Sequence, residues 1–433
     1  MTYLFWASIF RLGAVQMCLG AIVVICTSTL NRVMVVEAAL PAVLPGLLVG
    51  LHYAVQITRT SWGYRSDTQG NRTRYIVAGM AVLGLGGFLA ALGFVVMGAD
   101  FWAGLALSVL AYALIGAGAG AGASGTSLLA LLATATHPRR RAAAATITWL
   151  MMIFGIAVTA TIVGKALDPH SQALLLKLVA LVGIVAVTLT SLAVWGIEAR
   201  HASAAALNAA VPFRAGFAEI WAEPRARNFT IFIFLSMVAY FMQELILEPY
   251  AGLAFGFTPG QSTQLSGAQN GGVFFGMLTV GIAATGLRIG SLRAWVMEGC
   301  AGSAVALLAI AAAGQMADGA ALIRTATMAL GFFNGMFAVA AIGSMMALAG
   351  EGRAAREGTR MGMWGAAQAI AAGLGGVLGS GAADLARHVM ADASAFGVVF
   401  VAEAGLFLLA TLMAAHIIEG RRAPDIGNLV PGE

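Results

Sequence analysis

The sequence predicts an all-α polytopic membrane protein of about twelve transmembrane helices in two six-helix halves. Three observations carry this. Apolar residues make up 60% of 433 residues, charged residues only 10%, and mean hydropathy is +0.88. A water-soluble protein of this size needs a far more polar surface. The apolar residues gather in about twelve stretches near the roughly 20 residues that cross a hydrocarbon core. The cationic residues alternate between connections. Of 24 Lys and Arg, only Arg32, Lys165, Lys177, Arg324 and Arg387 fall at every second connection. Cationic loops stay on the cytoplasmic side during insertion. The bias therefore predicts an even number of spans with both termini cytoplasmic.

The first span, 12–34, comes after Tyr3, Phe5, Trp6, Phe10 and Arg11, an aromatic lead that reads as a short interfacial helix. It has no basic n-region or small-residue cleavage site and is expected to be retained. The second, 42–61, ends in the basic connection that holds Arg59, Arg65, Arg72 and Arg74. The third and fourth, 75–97 and 102–133, lead to Arg139, Arg140 and Arg141. The fourth carries glycine at 116, 118, 120, 122 and 125, which lets helix backbones approach closely. The fifth and sixth, 145–164 and 172–195, complete the first half.

The connection 196–228 is Ala-rich, holds Pro212 and Pro224, and divides an N-terminal half, 1–195, from a C-terminal half, 229–433. Its segment Phe213 to Trp221 is either a basic amphipathic helix on the inner leaflet or a plain tether. The remaining spans are expected at 229–250, 265–287, 293–314, 321–349, 362–385 and 394–418. The eleventh repeats the glycine pattern at 373, 375, 376, 379 and 381. Twelve spans nearly use up the chain and leave no room for a separate soluble domain. The net charge of +5 resides in loop arginines and points to anionic headgroups, not nucleic acid. Cys18, Cys26 and Cys300 lie inside apolar stretches without metal-ligand spacing and read as small buried hydrophobes.

The halves look like a weak repeat. Asn31-Arg32, followed by Glu37 and Pro41, ends the first span. Gln243-Glu244, followed by Glu248 and Pro249, ends the seventh. Two six-helix halves related by an axis along the membrane normal describe the major facilitator architecture. The loop Gly63-Tyr-Arg65-Ser-Asp67-Thr-Gln-Gly70-Asn-Arg72 resembles the loop motif of that superfamily. Gly63 would allow close helix contact, Asp67 would accept charge-assisted hydrogen bonds, Gly70 would permit the turn, and Arg72 would meet headgroups. Such a network can latch one conformation. The motif's basic positions are Thr68 and Thr73 here, which weakens the latch.

Charge inside the membrane is the second functional signal. Glu244 and Glu248 are four apart, on one face of a helix. Each costs about 2.5–3.5 kcal/mol on insertion scales, so each needs a partner or a wet cavity. Arg32 is the expected partner in an Arg32–Glu244 pair closing the outer side; a proton-coupled carboxylate is the other reading. Glu403 and Glu298 are less telling. His52, mid-span, can ligate the magnesium of a chlorin or serve as a hydrogen-bonded bundle histidine. Asn270, Asn334 and Gln368 are expected to hydrogen-bond between helices. No nucleotide-binding, zinc-protease or hydrolase motif is present, which argues against an enzyme.

Four segments together resemble the PucC/LhaA family, also called the bacteriochlorophyll delivery family. They are Leu30 to Met34 with Glu37; Arg59 with Gly63 to Thr68; Met242 to Gly252; and Met363 to Ala369. Gln243 to Gly252 is the most specific. The resemblance spans both halves. It implies an assembly factor for light-harvesting complexes, or for pigment-synthesis enzymes, in the intracytoplasmic membrane of a purple phototroph. Bacteriochlorophyll or a precursor is the implied ligand, without a covalently bound cofactor. Light-harvesting subunits or bacteriochlorophyll-synthesis enzymes are the implied protein partners. Pigment-binding candidates are His52, Gln243, Phe241, Phe274, Trp364 and Gln368. Two other readings stay open: a proton-coupled secondary transporter of a hydrophobic small molecule, and a non-transporting membrane scaffold.

Overall fold

The computed structural model describes residues 4–56, 72–120, 127–128, 131–132, 136–137, 141–197, 221–287, 289–350 and 357–417. Twelve long helices run through them. They are α1 (Trp6–Glu37), α2 (Val43–Val55), α3 (Arg72–Met97), α4 (Phe101–Gly118), α5 (Arg141–Ala166) and α6 (Gln172–Val194). Then come α7 (Pro224–Phe255), α8 (Pro259–Val280, continued by a π-type segment Gly281–Gly286), α9 (Leu292–Ala313), α10 (Gly319–Gly350), α11 (Glu357–Arg387) and α12 (Asp392–Ile417). Ten are long and apolar enough to cross a bilayer. The exceptions are α2, short within the described residues, and α8, whose first turns carry Gln261, Ser262, Thr263, Gln264 and Ser266. The chain is a multi-pass membrane protein.

Helix ends arise from local chemistry. Asp100 caps α4 through Trp102 N at 3.0 Å and Ala103 N at 3.1 Å. Ser171 caps α6 through Leu174 N, and Ser291 caps α9 through Ala294 N. Pro224 opens α7, where its missing N–H costs nothing. Gly256, in the left-handed region at φ +65°, ends it. Arg11 of α1 reaches the carbonyls of Leu192 and Trp195 at the C-terminus of α6. The aromatic lead is therefore not a separate interfacial helix. Trp6 begins α1, with Phe5, Trp6 and Phe10 exposed.

The packing repeats after six helices. In the first half α1 packs on α5 and α6, α3 on α4 and α6, and α2 on α4. In the second, α7 packs on α11 and α12, α9 on α10 and α12, and α8 on α10. Each half has its own buried core. Leu245 of α7 crosses over to join the core of the first half. The halves meet along α2 with α11 and α5 with α8. Small residues make this possible. A Cβ at Gly46 would strike the Ser380 hydroxyl, and one at Gly164 would stand 2.8 Å from the Gly260 carbonyl.

Candidate functional site

The two halves are sealed together at the end of the bundle that carries Asp168 and Asp384. The seal is built on irregular helix. In α1, π-type turns at Ile25–Thr29 and Val33–Glu37 flank Leu30–Arg32. In α7, Pro249 lies inside the helix. Proline has no N–H, so the carbonyl four residues earlier, that of Leu245, loses its helical donor. Asn31 of α1 supplies the donor instead: its amide nitrogen lies 2.6 Å from the Leu245 oxygen. Thr29 pairs with Thr263 of α8 at 3.2 Å.

Arg32 is almost fully buried at 2% exposure. It forms an ion pair with Glu37 and donates to the Phe257 carbonyl at 2.6 Å. A Cβ at Gly252 would stand 3.2–3.3 Å from the guanidinium and 2.9 Å from Val36, so glycine there makes the room. Arg324 lies 4.7 Å over the Phe257 ring. Glu248 accepts from Ser266 at 2.5 Å, has Ser28 and Ser262 nearby, and feels the Arg32 charge. Ser266 also reaches Ser28 of α1 at 3.4 Å.

Two aspartates fasten helix starts across the seal in matched positions. Asp168, at the end of α5, accepts from the Thr258 hydroxyl at 2.9 Å; Thr258 is the N-cap of α8. Asp384, near the end of α11, accepts from Val43 N at 2.8 Å, at the start of α2. Each carboxylate meets a helix N-terminus of the other half, where the helix dipole favours negative charge. The pairs α5/α8 and α11/α2 exchange under the six-helix repeat. His170 sits in the α5–α6 connection beside this seal. Burial pushes its imidazole pKa below the ordinary histidine value. Arg32 adds to that, and Glu37 and Asp168 oppose it.

Away from the seal, several side chains of α7 and α8 keep part of their surface accessible. Glu244 faces Thr27 of α1, and Tyr240, four residues back on the same side of α7, lies near it. Phe241 stands edge-on to Tyr53 of α2 at 5.7 Å. Phe274 of α8 lies 5.9 Å from Phe154 of α5. Tyr240, Phe241, Glu244, Asn270 and Phe274 are all partly exposed.

The expected site residues are therefore redistributed. Arg32 does not pair with Glu244. It is taken by Glu37, five residues on, because the second π-type segment of α1 brings Glu37 back over the guanidinium. Glu248, not Glu244, is the α7 carboxylate that feels Arg32. Of the loop motif, Gly63, Arg65, Asp67 and Gly70 lie outside the described residues. Arg72, expected to meet headgroups, is buried at the start of α3. The region of the expected amphipathic helix, Phe213 to Trp221, also lies outside the described residues except for Trp221.

The pigment candidates do not converge on one site. His52 is buried and its Nε2 lies 2.8 Å from the Gln56 side chain. Trp364 is 1% exposed in the C-terminal core, bonded to Thr230 at 3.1 Å and set against Phe229. Phe241 and Phe274 lie at the two separate inter-half contacts. Gln243 is buried, with its amide oxygen unpartnered among the described residues. Gln368 is partly exposed. Asn270 bonds within its own helix, to Ser266 O. Glu403 is fully buried with neither oxygen hydrogen-bonded among the described residues. Asp168, Asp384 and the serines around Glu248 were not singled out in the sequence. An aspartate ending both the fifth and eleventh spans was the available signal.

Comparison with known proteins fits this architecture. A family model described as PUCC protein matches residues 29–422. A Rhodobacter capsulatus protein named Bacteriochlorophyll synthase 44.5 kDa chain is 64% identical over 428 residues, 99% of each chain. Protein PucC of Cereibacter sphaeroides is 27% identical over 95% of this chain and 92% of its own. Among solved structures, a bacterial homologue of the human drug peptide transporters has a TM-score of 0.71 at 13% identity, covering 95% of this chain and 97% of that one. The nucleoside transporter NupG has a TM-score of 0.70 at 13% identity, covering 95% and 100%. At such identities the transporters speak to fold alone, and the fold is the major facilitator fold. The match over residues 29–422 settles the family: the chain belongs to the PUCC protein family.

Proposed function

We propose that this protein delivers bacteriochlorophyll or a precursor to light-harvesting subunits or pigment-synthesis enzymes, without catalysing a reaction itself. The observation that carries the reading is the 64% identity, end to end, to a chain named for bacteriochlorophyll synthase. The structure supports a carrier or assembly role over an enzymatic one in a specific way. The conspicuous polar groups of α1, α7 and α8 are spent on closing one end of the bundle. Away from that end, Tyr240, Phe241, Glu244 and Phe274 keep part of their surface accessible. A chlorin with a long isoprenoid tail is insoluble in water and needs such a surface within the bilayer.

By the arginine bias, both termini face the cytoplasm. The sealed end then faces the periplasm, in the intracytoplasmic membrane of a phototroph. On this reading the relative named as a synthase chain is a companion of pigment synthesis. The test is a deletion strain grown under pigment-inducing and pigment-repressing conditions. Antenna absorption or bacteriochlorophyll esterification should fall only in the first, with general growth intact. Normal antenna absorption and normal esterified pigment, in a strain also lacking its family relatives, would overturn the proposal.

A further inference from the structure

Glu244 is the acidic group that the seal leaves unused. Arg32 is engaged by Glu37 and the Phe257 carbonyl, and Glu248 by serines. Among the described residues Glu244 has no ion pair. Its neighbours are the Thr27 hydroxyl and Tyr240. It keeps part of its surface accessible. Aromatic pairs join the two halves at two places, Tyr53 with Phe241, which follows Tyr240 on α7, and Phe154 with Phe274. On α8, Gly271 has no atom within 4 Å of where a Cβ would stand, next to the partly exposed Asn270. A carboxyl group kept in apolar surroundings either holds its proton or meets a positive centre, and a ligand that brings such a centre favours the ionised form.

Chemistry decides which ligand supplies that centre. An organic cation would bring its own charge out of water, at the same cost the carboxylate bears. A magnesium chlorin is neutral overall, broad and apolar, and its metal has an open axial position. Magnesium is a hard cation that favours carboxylate and carbonyl oxygens. Resting on the delivery reading above, we propose that Glu244 is the axial ligand to the central metal of a chlorin held between the halves. A lone pair on one carboxylate oxygen would form the metal–oxygen bond, displacing a solvent ligand. Tyr240, on the same side of α7, would donate its hydroxyl to a peripheral carbonyl of the ring. The aromatic pairs would cover the ring faces and edges. His52 is the poorer axial ligand, because its Nε2 already faces Gln56.

The experiment uses the full chain purified in detergent, with bacteriochlorophyll a and its metal-free form, bacteriopheophytin a, as probes. Binding is read by fluorescence quenching and by the shift of the long-wavelength absorption band. Wild type should prefer the metallated pigment by about tenfold or more. Glu244→Ala should abolish that preference while still binding the metal-free ring. Glu244→Gln, which keeps the shape and one ligating oxygen, should retain an intermediate preference, so a folding defect cannot imitate the result. Tyr240→Phe should weaken both pigments alike. If Glu244→Ala keeps the preference, or if His52→Ala removes it instead, the assignment to Glu244 is overturned while delivery stands. If wild type binds neither pigment, the delivery reading fails and this inference with it.

Discussion

The bond between Asn31 and Leu245 can be tested because the structure gives its cause. The Leu245 carbonyl is free for Asn31 only because Pro249 has no N–H. Asn31→Leu keeps similar bulk and leaves that carbonyl without a donor. An orphaned buried carbonyl costs about 1–3 kcal/mol. Interhelical hydrogen bonds in membranes average about 0.6 and reach about 1.7 kcal/mol. The short 2.6 Å distance and the 1% exposure of Asn31 place this bond in the upper part of that range. Removing the Asn31 carbonyl oxygen, itself unpartnered among the described residues, returns part of the cost. The net expectation is about 1 kcal/mol, roughly fivefold in an equilibrium. Because the bond crosses between halves, it should appear as opening of the sealed end. Spin labels at Ala99 and Ala317, exposed at that end on opposite halves, would report it as a longer-distance population. The refuting comparison is a cycle with Pro249→Ala. That change restores an N–H four residues after Leu245, so Asn31→Leu should then cost almost nothing. An equal effect of Asn31→Leu with and without the Pro249→Ala change would show that the proline does not free the carbonyl for Asn31.

The charges give two further outcomes. Glu37 is partly exposed, so Glu37→Gln should cost under about 1 kcal/mol in thermal unfolding. Arg32→Leu should cost more, since it orphans the Phe257 carbonyl and leaves Glu248 without its nearby cation, and the double change Arg32→Glu with Glu244→Arg should rescue neither. His170, facing Glu37, Arg32 and Asp168, has its pKa lowered by burial, so the sealed state binds fewer protons than the open one. The seal should therefore strengthen as pH rises toward the ordinary histidine value near 6.5 and weaken as pH falls below it; label distances recorded between pH 5 and 8 should show this in wild type and lose it in His170→Gln.

The fold was readable because its signals are additive over many residues. Hydropathy over twenty-residue windows and the arginine alternation do not depend on any one contact. The eleventh and twelfth expected spans, 362–385 and 394–418, fall on α11 and α12, Glu357–Arg387 and Asp392–Ile417. The site was less readable because it depends on phase. Placing Arg32 against Glu244 assumes a regular first helix. Two π-type segments each widen a turn of α1 and rotate the residues beyond it. That rotation turns Arg32 onto Glu37 and Phe257, and brings Thr27 opposite Glu244. Asn31 and Glu248 were visible as polar residues in apolar helices. Their partners were not, since a backbone carbonyl freed by proline and three serines from two helices leave little compositional trace. Trp364 misled for a related reason: an aromatic beside a glycine looks like a ligand wall, yet its indole nitrogen is used within its own half by Thr230.

The irregular segments also bear on how strongly the halves are held. A helix defect frees carbonyls, and the structure uses them in two ways. The Cys26 carbonyl, in the first π-type turn of α1, accepts from Tyr112 of the same half at 2.8 Å. The Leu245 carbonyl accepts from the opposite half. Only bonds between the halves break when the halves separate. Six such bonds, to carbonyls, hydroxyls and carboxylates, are described: Asn31 to Leu245, Arg32 to Phe257, Thr29 to Thr263, Ser266 to Ser28, Thr258 to Asp168 and Val43 to Asp384. At about 0.6 kcal/mol each, the average found between membrane helices, they hold the seal by about 3–4 kcal/mol. That is a bias of a few hundredfold, because water replaces the partners once the end opens. Polar contacts of this size alone are overcome by a ligand whose affinity differs by two or three orders of magnitude between a closed and an open state. The six-helix repeat makes the bias two-sided: Asp168 holds α8 and Asp384 holds α2, so each edge of the seal has its own carboxylate latch.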